Sequence, residues 1–440
     1  MPTASIPPPG DPVPASRASL LQPGLVHPLP AGMRDLLPVE ARDQAALSRV
    51  LLETFTLFGY EQVMPPMFEY GAVLERGLGT PAEDELLRFI EPETGGVVVL
   101  RPDMTAQIAR IMGTRLADVP LPARLSYQGN IVRRQHERAR HERQIPQAGI
   151  ELVGASGIDA DLEVIGVAAA AARRAGLEDF TIDLGHAGIA AALLGEVAPE
   201  RRASIVEALG MRDETELTRR AEAEGLRGAE LRALAALPAL HGSNGLWSSA
   251  ERALAGTAAL ACLSELHELA RALESAALAP RLVVDLAETR DLGYYTGPVF
   301  QIHAAGPGRP IGSGGRYDGL CARFGRPRPA AGFAFGLDEL GWAVSLGGRP
   351  RAVAPRLLVT SADAAVLEAL RSCRIACAAA PAGDPLAYAR AWRYTHLVEI
   401  TLTTATLVGV ETEERQALPR DPRALGAATL ALLERAHGTE

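Results

Sequence analysis

Residues 124–154, RLSYQGNIVRRQHERARHERQIPQAGIELVG, decide the fold. The segments 124–134 and 147–154 mix apolar and polar residues in the way that is typical of β-strands. The stretch between them is rich in Arg, His, Glu and Gln and predicts a polar loop. The simplest connection of two strands by such a loop is antiparallel. A long antiparallel hairpin is therefore the first expected element.

Working upstream, apolar residues at helical spacing predict a helix that Gly59 ends as a cap. A short strand at 62–64 should follow and should end at Pro65, because proline cannot donate to a sheet. Residues 97–100 read as a buried strand, and Thr105 is placed to cap the next helix. Polar side chains at such a junction usually face a cleft.

Downstream, the texture of the chain changes twice. A helix at 159–175 and a strand at 180–184 lead into a Leu- and Ala-rich stretch that suggests an all-helical insertion. The sequence then predicts five segments: a Pro-rich disordered tail at 1–28, a core in two parts at 29–186 and 281–348, the insertion at 187–280, and a small α/β module at 356–440. The predicted class is α+β.

Composition excludes several classes of function. The chain has 440 residues, 48% of them hydrophobic and 22% charged, and no apolar run near the ~18 residues of a membrane helix. It contains no lysine, which excludes a P-loop lysine and Schiff-base chemistry. Four scattered cysteines do not make a disulfide framework, so we expect a cytoplasmic protein. His136 and His141 lack the spacing of a helical zinc site, and we expect no metal and no cofactor.

One set of polar residues suggests a site for a small zwitterion. An arginine fits a carboxylate, an aspartate fits an ammonium, and an amide or acid can orient a ring nitrogen. The candidates are Asp103, Arg133, Gln147, Glu151, Arg290, Tyr294 and Tyr295. The alternative is that these are ordinary surface or sheet-edge residues, and that both tyrosine rings belong to the core.

Taken in order, the motifs resemble histidyl-tRNA synthetase, a class II aminoacyl-tRNA synthetase, over roughly residues 29 to 345. Residues 29–35 are similar to the family's opening signature, and the stretch from Phe58 through Pro66 resembles motif 1, which forms a dimer interface in that class. Residues 101–105 stand where the family has Arg-Pro-Glu-Gly-Thr. Residues 129–151 resemble motif 2, 290–295 the histidine-specific motif, and 332–340 motif 3. The resemblance implies an antiparallel sheet flanked by helices and a homodimer through motif 1.

The departures that decide the function weaken the ATP half of the site, whereas the histidine half departs at Asp103, which is shorter than the family's glutamate, and at the exchanged Asp291 and Gly293. Glu339 stands where the motif 3 arginine would hold phosphates, so a carboxylate should repel a polyphosphate there. Gln135 and His141 replace an acid and an arginine of motif 2, and Ile145-Pro146 replaces Phe-His. The histidine half retains Asp103, Thr105, Arg133, Gln147, Glu151, Arg290, Tyr294 and Tyr295.

This pattern resembles the family of ATP phosphoribosyltransferase regulatory subunits. The resemblance implies a non-catalytic subunit that joins the short catalytic subunit in the first step of L-histidine biosynthesis and senses L-histidine. Two alternatives stay open: a histidine-tRNA ligase, which retention of Arg290 favours, and another synthetase-like enzyme that activates histidine. The module at 356–440 has few arginines along its predicted strands, so we interpret it as a remnant anticodon-binding domain and expect no tRNA partner.

Overall fold

The computed structural model describes residues 29–78, 86–133, 142–195, 197–242, 245–288, 293–347 and 354–437. The predicted tail at 1–28 lies outside these residues. The chain forms two compact units, Met1–Arg349 and Pro350–Glu440. The finer boundaries predicted at 186, 280 and 348 remain predictions.

The first unit is built from helices on a large sheet. Its described helices are α1 (Pro38–Leu57), α2 (Gly71–Leu78), α3 (Thr105–Gly113), α4 (Ile158–Arg174), α5 (Ala187–Leu193), α6 (Pro199–Gly210), α7 (Glu214–Ala223), α8 (Gly228–Ala236), α9 (Leu246–Leu254), α10 (Ala259–Ser275) and α11 (Leu337–Gly347), with short 3-10 helices at Leu237–Ala239 and Cys321–Phe324. Its described strands are β1 (Glu61–Gln62), β2 (Phe68–Tyr70), β3 (Arg88–Ile90), β4 (Val97–Leu100), β5 (Ala123–Val132), β6 (Gln144–Val153), β7 (Thr181–His186), β8 (His241–Gly242), β9 (Arg281–Asp285), β10 (Pro298–His303), β11 (Gly312–Arg316) and β12 (Ala330–Gly336).

Nine of these strands make one sheet in the order β1-β5-β6-β12-β11-β10-β7-β9-β8, and β2-β4-β3 make a small second sheet. Most neighbours are antiparallel, while β1 with β5 and β7 with β9 are parallel. The predicted hairpin is confirmed, since β5 and β6 pair from Ala123 with Val153 to Val132 with Gln144. The α+β class and the antiparallel sheet flanked by helices are confirmed as well.

Side-chain alternation along β6 separates the core from the candidate site. Ala148, Ile150 and Leu152 are fully buried in the main core, which they share with residues of α1 and α4. Because successive strand residues point to opposite faces, Gln147 and Glu151 lie on the other face. One face of the sheet is therefore packed by α1 and α4, and the other carries these polar groups beside a second core cluster that includes residues of α3.

Three local predictions were wrong in detail. The short strand is Glu61–Gln62 rather than 62–64, although the Val63 amide still donates to the Ser126 carbonyl at 2.9 Å. Strand β6 begins at Gln144, three residues earlier than predicted. The stretch 187–280 is not all helical, because β8 pairs with β9 at the edge of the sheet.

The second unit is a small α/β domain, as predicted. Its strands are β13 (Arg356–Val359), β14 (Ala376–Ala379), β15 (His396–Ile400), β16 (Ala405–Gly409) and β17 (Arg415–Leu418), and its helices are α12 (Ala364–Ser372), α13 (Pro385–Ala391) and α14 (Pro422–His437). The sheet order is β14-β13-β15-β16-β17. In the part of the chain described in both units, no helix is long and apolar enough to cross a membrane.

Candidate functional site

The junction between β4 and α3 brings two predicted site residues to the polar face of the sheet. We predicted that Thr105 caps α3, and this was wrong: Met104 occupies the cap position without a side-chain bond, and Thr105 is the first helical residue. The Thr105 hydroxyl instead donates a 2.7 Å hydrogen bond to Oε1 of Glu151. A tertiary partner on β6 has thus taken the hydroxyl that local preference would give to the helix end.

Glu151 lies at the centre of the site and is 1% exposed. The Tyr127 hydroxyl donates to its Oε1 at 3.3 Å, and Oε2 is buried with no hydrogen-bond partner among the residues described. Burial raises the pKa of Glu151 well above its ordinary value of 4.5, against hydrogen bonds from Thr105 and Tyr127, and the charge of Asp103 raises it further. Glu151 is therefore a desolvated acid whose hydrogen-bonding capacity is only partly used by the residues described.

The strand beside Glu151 requires a glycine at one position. Gly332 of β12 pairs with Glu151, and a Cβ on Gly332 would lie 1.9 Å from Glu151 Oε2 and 2.5 Å from the Ile150 carbonyl. A backbone oxygen cannot move aside as a flexible side chain can. The glycine therefore provides the space in which the carboxyl group lies.

Asp103 and Arg133 form the charged edge of the site. Asp103 is 8% exposed, and Oδ2 lies 3.9 Å from Nη2 of Arg133, which is a loose ion pair. The Ala106 amide donates to Asp103 at 3.3 Å, and Arg133 Nε donates to the Pro102 carbonyl at 2.7 Å. Burial raises the pKa of Asp103, although the Arg133 charge opposes this. The looseness of the pair leaves room for a ligand that carries both charges.

Arg101 fixes the backbone that presents Asp103. It is 5% exposed, and its guanidinium donates to the Asn130 carbonyl at 2.7 Å and the Pro65 carbonyl at 2.8 Å. A Cβ on Gly129 would lie 2.3 Å from Arg101 Nη2, so this strand also needs glycine at the crossing. Arg101 thereby links the motif 1 segment, β4 and β5.

Three tyrosines form the wall beside the acids. The Tyr294 ring lies 4.7 Å from that of Tyr295 and 5.5 Å from that of Tyr317, and Tyr295 lies 6.1 Å from Tyr317. Tyr294 is 2% exposed and belongs to a core cluster, so the core interpretation fits its ring, whereas Tyr295 is half-buried. The Tyr317 hydroxyl is buried without a hydrogen-bond partner among the described residues. It offers the site a further polar group.

The remaining predicted residues do not gather around Glu151. Gln147 is on the same face of β6, but four residues along a strand correspond to about 13 Å. It pairs with Gly129 and Gly336 at the other end of the face. Arg290, like Gln135 and His141 of the motif 2 comparison, lies outside the described residues.

Sequence reasoning did not select Tyr127 and Tyr317 as site residues. Tyr127 could have been found from the sequence, because it is two residues before Gly129 on β5. When β5 pairs with β6, Tyr127 lies on the same face as Glu151. Tyr317 follows two glycines and an arginine, a short pattern that is also compatible with a simple turn.

The nucleotide half of the site contains an internal ion pair. Glu339, in the first turn of α11, is 3% exposed and lies 2.7 Å from Nη2 of Arg309. A Cβ on Gly336 would be 2.2 Å from Glu339 Oε2, so the carboxylate lies over the end of β12. The carboxylate therefore has a cation beside it, and its predicted repulsion of a polyphosphate stays a prediction. Among the residues described, no group of His, Cys, Asp and Glu is arranged to hold a metal ion.

Comparison with known proteins places this geometry in a family. The histidyl-tRNA synthetase family matches residues 32–340. The chain is 41% identical over 314 residues to a protein of Moorella thermoacetica named ATP phosphoribosyltransferase regulatory subunit, covering 71% of this chain and 80% of the relative. A relative of the same name in Syntrophotalea carbinolica is 33% identical over 386 residues, covering 84% and 90%.

The chain belongs to the family of ATP phosphoribosyltransferase regulatory subunits. A solved structure described as an ATP phosphoribosyltransferase regulatory subunit/histidyl-tRNA synthetase from Bacillus halodurans C superposes with a TM-score of 0.71 at 29% identity, over 86% of this chain and 99% of that one. Histidyl-tRNA synthetase from Nostoc sp. PCC 7120 has a TM-score of 0.72 at 19% identity, covering 93% and 99%, and shows the shared fold alone. The chain thus joins membership of the regulatory-subunit family to a synthetase fold.

Proposed function

We propose that this chain is the non-catalytic regulatory subunit of an ATP phosphoribosyltransferase, which acts with the short catalytic subunit in the first step of L-histidine biosynthesis and senses L-histidine. Membership of the regulatory-subunit family supports the role and the partner. The four cysteines are free thiols, and this agrees with a role in the reducing cytoplasm.

Two features of the site support the sensing role. Glu151 is a buried acid with one oxygen that has no hydrogen-bond partner among the described residues, and Asp103 and Arg133 form a loose ion pair. Asp103 is positioned to meet the ammonium of histidine, and Arg133 its carboxylate. Glu151, with its unpartnered Oε2, and the Tyr294 and Tyr295 rings lie on the imidazole side. We retain Thr105, Gln147 and Arg290 in the set, with Thr105 acting through Glu151.

The electrostatics of the free site favour a cationic ligand group. Burial raises the pKa of both Asp103 and Glu151, so the ionised form of each is disfavoured in the folded protein unless an opposite charge lies nearby. An ammonium beside Asp103 supplies the missing opposite charge, and an imidazole nitrogen can share the proton of Glu151. Binding should therefore draw on groups that the empty fold leaves poorly compensated.

The same geometry argues against histidine activation. Activation requires ATP phosphates beside the first turn of α11, where the Arg309–Glu339 pair lies. To bind a polyphosphate, Arg309 would have to separate from a carboxylate that is 3% exposed, and breaking a buried ion pair costs free energy. We therefore favour the sensor over the histidine-tRNA ligase.

The test combines calorimetry with ATP–pyrophosphate exchange on the purified chain. We expect saturable binding of L-histidine and no histidine-dependent exchange. Histidinol and histamine, which lack the carboxylate, should bind more weakly because Arg133 then has no partner. Robust exchange at synthetase rates would overturn the regulatory role in favour of the ligase.

We also propose a homodimer through motif 1. The segment around Pro66 adjoins the small sheet, where Phe68 and Phe89 are 50% and 40% exposed and their rings lie 5.0 Å apart on one face. Apolar side chains concentrated on one face favour burial by a second copy. Sedimentation that gives a monomer mass at micromolar concentration would contradict this assembly.

A further inference from the structure

A buried charge cluster joins the tyrosine wall of the site to the helices that follow β7. Arg316 is the last residue of β11, is 7% exposed, and directly precedes Tyr317. Its guanidinium donates to Asp161 of α4, with Nη2–Oδ2 at 2.8 Å and Nε–Oδ1 at 3.2 Å. The same Nη2 donates to Glu265 of α10. One guanidinium therefore binds two carboxylates from different helices.

Glu265 has a second partner in His186, whose Nε2 lies 3.2 Å away. His186 Nδ1 accepts the Gly188 amide at the start of α5, so Nε2 carries the proton that is donated to Glu265. These hydrogen bonds, first from His186 and then from Arg316, lower the pKa of Glu265 to about 2. Glu265 is thus the ionised partner of Arg316 at neutral pH, and α10 is tied to the ends of both β7 and β11.

The backbone of Arg316 holds the segment that carries the site tyrosines. Its carbonyl accepts the Thr296 amide at 2.9 Å and the Gly297 amide at 3.3 Å, directly after Tyr295. A Cβ on Gly297 would lie 2.9 Å from Arg316 Nε, so the two chains are in close contact. A displacement of the tyrosine segment must therefore be felt at Arg316.

We propose that Arg316 is a positioning residue that couples the candidate site to α10. Its carbonyl and the adjacent Tyr317 fix the tyrosine wall, while its guanidinium fixes α10 through Glu265. Ordering of the tyrosines by a ligand is transmitted through one residue, because a tightly packed charge network changes between discrete arrangements rather than deforming smoothly. The identity of the ligand rests on the proposed function, whereas the link between the tyrosines and α10 does not.

The experiment is hydrogen exchange of the full chain, with Glu265→Gln against the matched control Glu268→Gln. Both residues lie on α10, but Glu268 is exposed. Without ligand, Glu265→Gln should speed exchange of the Thr296 and Gly297 amides about tenfold, because loss of the ionised partner loosens Arg316. Glu268→Gln should leave these amides unchanged.

A second arm adds L-histidine. In the wild type we expect histidine to slow exchange in α10 about threefold, and in Glu265→Gln we expect histidine still to bind while α10 no longer responds. A purely structural role of the cluster would not remove the response while preserving binding. Arg316→Lys, which retains one charge but cannot span both carboxylates, should give an intermediate ligand-free rate.

Each outcome of these experiments either supports or overturns the proposal. Unchanged Thr296 and Gly297 exchange in folded Glu265→Gln overturns the proposal, with or without histidine binding. An α10 response to histidine that survives in Glu265→Gln also overturns it. If calorimetry finds no histidine binding to the wild type, the proposed function fails, and the ligand-free arm still decides the coupling.

Discussion

The hydroxyl of Thr105 lies 2.7 Å from Oε1 of Glu151 and donates to it, although the two residues are 46 positions apart. The bond joins the start of α3 to the end of β6. It fixes one carboxyl oxygen and leaves the other, Oε2, unpartnered among the described residues. The site is therefore organised around a half-satisfied acid, and its chemistry can be tested through that acid.

Replacing Glu151 with glutamine should change how stability depends on pH. The unfolded carboxyl ionises near 4.5, whereas the folded pKa is raised, so ionisation disfavours the native state as pH rises above 4.5. Glu151→Gln removes that loss. Relative to the variant, wild type should lose up to about 1.4 kcal/mol per pH unit until the folded pKa is reached.

The measurement is urea unfolding of both proteins at about pH 5 and about pH 8. Glu163→Gln is the matched control, because hydrogen bonding to Arg124 lowers the pKa of Glu163 and reverses the sign. Both pKa values of Glu163 lie below about pH 5, so its wild-type advantage should be the same at about pH 5 and about pH 8 and should be lost only in more acidic solution. Parallel curves for wild type and Glu151→Gln would show that Glu151 is not desolvated.

Asp103→Ala should weaken L-histidine binding. Loss of a charge-assisted partner of the ammonium costs about 1.5 to 3 kcal/mol, roughly ten- to a hundredfold in affinity. Calorimetry measures this, with Asp118→Ala as control because the Asp118 side chain is 92% exposed. Equal affinity in wild type and Asp103→Ala would move the ammonium site elsewhere.

Gly332→Ala should disturb the site through β12, the strand that pairs with β6 at Glu151. The added methyl would lie 1.9 Å from Glu151 Oε2 and 2.5 Å from a backbone oxygen, so β6 or β12 must shift. We expect a loss of about 1 to 3 kcal/mol in stability and a clear loss of histidine affinity. Gly210→Ala, where the new methyl meets nothing within 4 Å, should retain both. A fully stable, histidine-binding Gly332→Ala would refute the close packing of Glu151.

The Arg309–Glu339 pair can be tested by exchanging its charges. Glu339→Arg alone places two guanidinium groups together at a position that is 3% exposed in the wild type, and should cost about 3 kcal/mol. Adding Arg309→Glu should recover most of that loss. Because the Arg309 side chain is 35% exposed, water screens part of the effect. Additive losses in thermal unfolding of the double variant would exclude a direct pair.

The sequence allowed prediction of features that repeat locally. The β5–β6 hairpin was predictable because strand-like segments flank a polar stretch, and the ends of α4 were within one residue because Gly176 signals the stop. Thr105 was misassigned because a hydroxyl near a helix start has a local preference that a distant acid can override. Strand β8 has two residues, too few for any periodicity.

The site itself was only partly visible for the same reason. Asp103, Thr105, Arg133 and Glu151 came from motif order, but their mutual contacts depend on how the junction of β4 and α3 packs against β5 and β6, which no local pattern specifies. The partner of Glu339 is Arg309, 30 positions away in a loop, and a charge read from sequence gives no sign of its partner. The Arg309 contact was therefore not predictable, while the repulsion of a polyphosphate by Glu339 stays a prediction.

The last prediction concerns the catalytic partner, since a sensor without chemistry must report to another active site. Histidine can change that activity only if the assembled proteins have states that differ in histidine affinity, and such coupling is typically about 1 to 3 kcal/mol. We expect this chain to co-elute with the short ATP phosphoribosyltransferase catalytic subunit and to make its activity responsive to histidine. Asp103→Ala should still co-elute but should shift the histidine response to higher concentration, because it affects the ligand and not the interface.

Linkage also requires the effect to run in both directions. If histidine and the partner's phosphoribosyl substrate favour different states of the assembly, each must weaken the binding of the other. The factor by which the substrate weakens histidine binding must then equal the factor by which histidine weakens substrate binding. Calorimetric titration of the complex with histidine, with and without the substrate, measures the first factor, and the reverse titration measures the second. Separate elution at micromolar concentration, with partner activity unchanged by this chain, would reduce the protein to a histidine-binding relative without this partner.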